Sequence, residues 1–398
     1  MNIILDFTII YICLELLWYM YIETKKITFA HHITHPVSME RKIQVFDRII
    51  RWTKDPDKFV RALFFDMKIE DITYEDIAEW LCWAFFEKDC PDKLDNDDKL
   101  FLNYMIGKII QICGNRQFPS RTGRRNKFIA YSIEPYECGY NVLLIYTITM
   151  CIYPILAFIY LTGTGFKQVI VKNIRFWILL KNNDKTPIVL IHGLGGGIFP
   201  YCDFITSLLQ LESTIIIPDL PFLCMYMDDN VPDDDDIILA IKNAIESIHS
   251  KAIIIGHSYG TVIMSWMIQE HPYIVESAVL LDPVVFMLHL ADLGMNFLYK
   301  KREYDTLGII RSDPFINWIL RRHFWWLSSI LWLEDLENIP YLVVLCMKDQ
   351  ILPVKEIKEY VEGYSKQQKL LCFEDLYHGG FLSDKDAIEK IVQSIPIA

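Results

Sequence analysis

From residue 166 onward the sequence predicts an α/β fold, a mostly parallel sheet flanked by helices. Three observations carry this expectation. Short apolar runs alternate with helical stretches, one run leads straight into a serine held between two glycines, and a histidine sits in the loop after the last run. The expected strands are Pro187–Ile191, Thr214–Ile217, Ala252–Ile255, Ser277–Leu281, Tyr341–Cys346 and Lys369–Phe373, with Gln168–Val171 and Ile174–Leu180 as an antiparallel edge. Asp233 to Asp236 open a helix carrying Ile237, Ile238, Ile241 and Ile245, where carboxylates favour the positive end of the helix dipole; a calcium site is the less favoured reading.

Ahead of the sheet the chain is expected to divide into a membrane anchor (1–26), a helical region (27–137) and a second apolar, membrane-associated segment (138–165). Met1 to Ile22 is apolar apart from Asp6 and Glu15, and it lacks the basic start and small-residue cleavage site of a removable signal peptide. An uncleaved anchor or a surface-lying helix is therefore expected. Cys138 to Phe166 contains no charged residue, and Val142 to Leu161 is about as long as a bilayer core is thick. Pro154 should kink it, with Thr147 and Thr149 bonding back to the helix backbone. If both segments span, residues 23–137 and the C-terminal part lie on opposite sides; if the second is only embedded, they lie together.

Between the two segments Ser38 reads as the N-cap of a helix reaching Ile50. Tyr74 to Phe86 reads as an amphipathic helix with Ile77, Leu81 and Ala84 on one face beside Trp80. The arginines of 119–125 form a linker suited to anionic lipid head groups or simply to solvent.

Composition narrows the function classes. Of the 398 residues 52% are hydrophobic, enough for a large core and too many for a disordered chain. A net charge of −12 argues against a surface built to neutralise nucleic-acid phosphates. The ten cysteines are scattered singly with no C-x-x-C pair, so neither a disulfide scaffold nor a zinc ribbon is indicated.

The chemistry-bearing residues lie on the expected sheet. Gly256-His-Ser-Tyr-Gly260 places Ser258 between a strand and the helical run from Thr261, in a turn too tight for side chains at Gly256 and Gly260. A serine hydroxyl needs a base, and of the ten histidines His378 alone follows the terminal strand. Asp349, after the penultimate strand, is the favoured acid to orient it, with Asp282 as the alternative. An oxyanion needs preorganised N–H donors. The loop His192-Gly-Leu-Gly-Gly-Gly197 supplies Leu194, or alternatively Gly195, and Tyr259 supplies the other. That loop lacks the G-x-G-x-x-G spacing of a dinucleotide site.

On these motifs residues 166–398 resemble an α/β-hydrolase, with His192-Gly193, Gly256-His-Ser-Tyr-Gly260, Asp349 and His378 in family order. More narrowly, His35-Pro-Val-Ser-Met-Glu-Arg41, Leu281-Asp-Pro-Val284, Asn296-Phe297 and Arg321-Arg-His-Phe-Trp325 resemble fungal and protist membrane-associated α/β-hydrolases of unsettled activity. The resemblance implies an α/β-hydrolase fold with a helical cap at about 284–340, and a helical N-terminal region that belongs with it. It implies no particular substrate.

The cap is rich in Phe286, Phe297, Phe315 and Phe324, and Trp325, Trp326 and Trp332 stand beside Arg321, Arg322 and His323. Such a cap suits an acyl chain, and its tryptophans suit a helix at a membrane interface as well as a packed core. The expected activity is hydrolysis of a lipid-like carboxylic ester through an acyl-enzyme, with no metal or cofactor and with a membrane as partner. An acyltransferase using the same residues and a non-catalytic membrane scaffold are the rival readings. Aspartate in place of Ser258 would have indicated epoxide hydrolysis or dehalogenation. The absence of any Asn-x-Ser/Thr sequon favours a cytosolic face, hence an intracellular, membrane-associated protein.

Overall fold

The computed structural model describes residues 3–181, 184–300, 306–364 and 369–397. Its centre is an eight-stranded sheet: β1 (Lys167–Val171), β2 (Ile174–Leu179), β3 (Ile188–Ile191), β4 (Ile215–Asp219), β5 (Ala252–His257), β6 (Val275–Leu281), β7 (Tyr341–Cys346) and β8 (Lys369–Phe373). The order is β1-β2-β4-β3-β5-β6-β7-β8. Strands β4 to β8 run parallel through β3, and β2 joins β4 antiparallel. Lys172 and Asn173, both at positive φ, make the two-residue turn of the β1–β2 hairpin, a geometry that matches strand twist. Strands β3, β5 and β7 are buried along their whole length, which is why they are continuous Ile, Val and Leu runs.

The helical N-terminal region does not stand apart from this sheet. Ser38 caps helix Met39–Trp52 by accepting from the Arg41 N–H at 3.2 Å, and the Arg41 guanidinium reaches the Ile330 carbonyl at 2.7 Å. Helix Tyr74–Phe86 starts with a reciprocal capping box between Thr73 and Asp76. From Ile77 on, it is buried on nearly all faces rather than amphipathic, because the cap covers the face that solvent was expected to wet. Trp83 meets Trp325 edge-on at 5.9 Å, Phe85 meets Trp326 at 5.7 Å, and the Trp326 indole N–H donates to the Ala84 carbonyl at 3.1 Å.

Two expectations are thereby corrected. Trp325, Trp326 and Trp332 do not lie at a lipid interface: they are 2%, 6% and 1% exposed, inside one apolar core shared by the cap, the sheet and residues 45–131. Arg322 is buried with them and donates to the carbonyls of Phe29, Ser132 and Glu134, tying the N-terminal chain to the cap. In the 119–125 linker, Arg121 pairs with Asp76 and Glu79, and Arg125 with Glu79, so these two guanidinium groups serve the fold rather than lipid. Asp233 to Asp236 sit at the cap and first turn of helix Asp234–Glu246, as the dipole argument expects. Part of the expected cap, 301–305, lies outside the described residues.

Helices Leu5–Phe29 and Leu143–Gly163 are long and apolar enough to cross a membrane by length and composition. Both expose apolar side chains, among them Phe7, Ile10 and Leu17 on the first and Leu144, Ile155 and Ile159 on the second. They touch where the polar groups are: Glu15 accepts from the Tyr140 hydroxyl and the Leu143 N–H, and the Trp18 indole N–H donates to the Asn141 carbonyl. Ahead of Pro154 the second helix widens into a π-turn over Ile148–Ile152, accommodating the missing N–H, and Thr147 and Thr149 bond back to Leu143 and Ile145.

A single crossing by this second segment would put residues 27–137 and the sheet on opposite sides. Their common core is compatible only with the arrangement in which they lie together. In sealed vesicles, single-cysteine proteins retaining Cys90 or Cys372 should therefore show the same protection from, or reaction with, a membrane-impermeant maleimide. Trp326→Ala should lower unfolding stability by about 3–5 kcal/mol in a denaturant titration, since it empties the seam between helix Tyr74–Phe86 and the cap.

Candidate active site

Strand β5 delivers Ser258 at φ +51, a left-handed conformation that a non-glycine residue adopts only where its surroundings hold it there. The surroundings here are tight. A Cβ on Gly260 would lie 2.3 Å from the Ile191 carbonyl oxygen, so only glycine lets the following helix, Gly260–Glu270, approach β3 this closely. The Ser258 N–H donates to the Leu281 carbonyl on β6, and the Thr261 hydroxyl donates to the Ser258 carbonyl. Backbone contacts thus fix the serine before its hydroxyl is considered.

His378 lies in the loop after β8, with Nε2 at 2.9 Å from Ser258 Oγ and Nδ1 at 2.5 Å from Asp349 Oδ2. The other Asp349 oxygen accepts from the N–H groups of Ile351 and Leu352. Burial alone would push His378 down, but the charge and hydrogen bond of Asp349, with Asp282 behind, outweigh it and raise its pKa above the usual 6.5.

Asp282, the alternative acid, does not reach the ring. Its oxygens accept from the N–H groups of Cys346 and Gly379, each at 2.8 Å, so it ties the end of β7 to the loop that carries His378. The carboxyl is fully buried, and burial pushes its pKa up against the lowering effect of His378 and these two donors.

Over the serine runs the loop after β3. The Gly195 N–H donates to the Leu223 carbonyl, so the alternative oxyanion donor is already engaged. Among the described residues the N–H groups of Leu194 and Tyr259 make no hydrogen bond. Gly195 holds φ +114, and a Cβ there would meet Ile310 of the cap at 2.9 Å.

Sequence reasoning missed what supports this loop. The Gly193 N–H donates to the Tyr201 hydroxyl, which in turn donates to Nδ1 of His257 at 2.6 Å. Burial, and then the neighbouring His378 and His192, push His257 well down, keeping it a neutral acceptor. Its ring stands 5.5 Å from that of His378. The one available signal was the histidine inside Gly256-His-Ser. His192, itself buried, bonds through Nδ1 to the Gly193 carbonyl.

A cavity opens from Ser258. Its walls are apolar and come from three places: Tyr259 and Val262 behind the serine, Leu288, Phe297 and Phe324 of the cap, and Phe59, Trp80 and Trp83 of the N-terminal region. The last group was not foreseen, because nothing in residues 27–137 marks them as neighbours of the sheet.

Residues 188–390, just over half of the chain, match the model of the alpha/beta hydrolase family. No curated protein matches. Similar solved structures include the carboxylesterase CesB (YbfK) from Bacillus subtilis, at 12% identity and a TM-score of 0.43 over 61% of this chain and 96% of that one. A putative lipase (lip1) from Acinetobacter baumannii AYE is 16% identical, with a TM-score of 0.46 over 60% of this chain and 93% of that one.

The sign of the His378 shift is testable without any substrate. Its ring should titrate above pH 6.5 by NMR. Asp349→Asn should lower that midpoint by removing the dominant raising charge, and Asp282→Asn should lower it less.

Proposed function

Because the chain belongs to the alpha/beta hydrolase family, we propose that it is a serine-dependent carboxylic ester hydrolase of the esterase or lipase type, acting on a lipid-like acyl ester at a membrane. The observation that carries this reading is the Asp349–His378–Ser258 chain of hydrogen bonds at the mouth of an apolar cavity. As the Ser258 oxygen attacks the ester carbonyl, its proton passes to His378 Nε2, while Asp349 holds the Nδ1–H and stabilises the imidazolium. The tetrahedral oxyanion is taken up by the N–H groups of Leu194 and Tyr259. His378 returns the proton to the leaving alcohol, and water, activated by the same ring, releases the acid from the acyl-enzyme.

The acyl group occupies the cavity. Its walls are mostly hydrocarbon, so each methylene buried against them gains about 0.8 kcal/mol. Residues 27–137 act with the cap as a composite lid, in keeping with the resemblance to membrane-associated fungal and protist hydrolases. Residues 1–26 serve as the anchor, and 138–165 lies along the membrane surface, feeding the site from the bilayer. The assembled geometry counts against a non-catalytic scaffold. An acyltransferase would share every residue named, and added acceptor alcohols separate the two by the ratio of transfer to hydrolysis.

Ser258→Ala should lose labelling by a fluorophosphonate probe and lower ester hydrolysis by more than ~10³-fold, with the unfolding midpoint near that of the parent. Labelling retained by this variant would remove Ser258 from its role. Ala291→Phe, which narrows the cavity, should lower kcat/KM for long-chain esters more than for acetate or butyrate esters.

A further inference from the structure

The glycine loop over Ser258 is held on both sides of its open N–H. The N–H groups of Gly193 and Gly195 are committed, one to the Tyr201 hydroxyl and one to the Leu223 carbonyl, and that of Leu194 lies between them. The Gly195 carbonyl accepts in turn from the Met225 N–H at 3.0 Å, so residues 223–225 form a short parallel ladder with the loop. Where that ladder sits decides where the Leu194 N–H stands.

The second apolar segment braces the ladder. Among the described residues no backbone N–H donates to the carbonyl of the buried Met225; its donor is the Thr149 hydroxyl, itself buried, at 2.8 Å. A hydroxyl has one proton, and the carbonyls of its own helix lie further off, Ile145 at 3.1 Å and Tyr146 at 3.4 Å. Tyr153 touches the loop itself. A Cβ on Gly196 would lie 3.2 Å from the Tyr153 ring, which also meets the Phe199 ring at 5.1 Å. Thr149 stands inside the π-turn Ile148–Ile152 and Tyr153 directly after it, so the irregular turn falls where the segment meets the loop.

Lying in lipid requires none of these contacts. The exposed Ile152, Ile155 and Ile159 of the same segment meet that need by hydropathy alone. A buried hydroxyl committed to a carbonyl 76 residues away along the chain serves the loop instead.

We propose that Thr149 and Tyr153 are positioning residues for the oxyanion loop, so that segment 138–165 supports the chemistry at Ser258 as well as meeting the membrane. The proposal rests on the ester-hydrolase reading above, with the Leu194 N–H as an oxyanion donor. Loss of the Thr149 hydroxyl leaves the Met225 carbonyl without its donor, the ladder shifts, and the N–H no longer meets the oxygen as its charge develops. That charge exists in the transition state and not in the bound ester, so the loss falls on kcat rather than on KM.

The test uses full-length protein in nanodiscs, assayed with p-nitrophenyl butyrate and titrated with a trifluoromethyl ketone of the same chain length. In the ketone adduct the Ser258 oxygen bonds to the carbonyl carbon, its proton moves to His378 Nε2, and the former carbonyl oxygen takes the negative charge. Thr149→Val removes the hydroxyl at nearly constant shape. It should lower kcat about tenfold with KM within about twofold, and weaken the ketone about tenfold. Thr149→Ser should restore both. Tyr153→Leu should give the same split, and decides the matter should Thr149→Val fail to fold. The His378 titration midpoint should stay in place throughout, because its bonds to Asp349 and Ser258 are untouched. Parent kcat in both Thr149→Val and Tyr153→Leu, or a raised KM alone, overturns the proposal and leaves the ester hydrolase standing. A lower kcat with undiminished ketone affinity marks only a smaller folded fraction and overturns it too. A parent protein that neither cleaves the ester nor binds the ketone overturns the hydrolase reading, and the positioning role falls with it.

Discussion

Burial of the tryptophan-rich face of the cap against helix Tyr74–Phe86 is the interaction on which the remaining architecture depends. A cap of this size carries more aromatic surface than it can cover by folding on itself, and the N-terminal region carries a helix apolar on almost every side. Each supplies what the other lacks. Their contact joins the first and last parts of the chain into one core, closes the cavity above Ser258, and places both bodies on the same side of any membrane. Arg322 reinforces the seam with hydrogen bonds to the carbonyls of Phe29, Tyr131, Ser132 and Glu134 on the N-terminal side, so its buried charge is met by backbone dipoles rather than by a carboxylate.

The same logic of tying distant segments together recurs at the sheet edge. Asp282 sits beneath the serine's neighbours with each oxygen committed to a backbone N–H, one at the end of β7 and one in the loop after β8. It touches neither Ser258 nor the imidazole. Its contribution is to hold the His378 loop at the distance where one ring nitrogen meets Asp349 and the other meets the serine. Two carboxylates therefore stand near one histidine with separate tasks, one orienting the ring and one orienting the backbone that carries it. Beside them His257 is kept neutral by burial and accepts from Tyr201, so a second imidazole lies close to the first without adding a competing charge.

The apolar segments follow from polar bookkeeping as much as from hydropathy. Glu15 would be expensive in a lone membrane helix, yet here it accepts from Tyr140 and from the Leu143 N–H at the unpaired start of the second helix. A helix-start donor and a carboxylate on an apolar helix satisfy each other. That pairing draws the two segments together and leaves their apolar sides facing outward.

Sequence alone determined the sheet, the strand-to-helix serine turn, the chain order of Ser258, Asp349 and His378, the N-cap at Ser38, the aspartate run that opens the helix of Ile237 and Ile238, and the two apolar segments. Each of these is written in short windows, as period-two or continuous apolar runs, glycine spacing or capping residues. The tertiary structure decided which carboxylate faces His378, which glycine-loop N–H is free, and that the cap tryptophans meet protein rather than lipid. It also decided that Phe59 and Trp80 wall the cavity of a serine some two hundred residues away along the chain. None of these is local: a carboxylate's partner or an indole's neighbour depends on where separate segments pack, and the same apolar pattern serves equally for a core or for a bilayer until something is there to cover it.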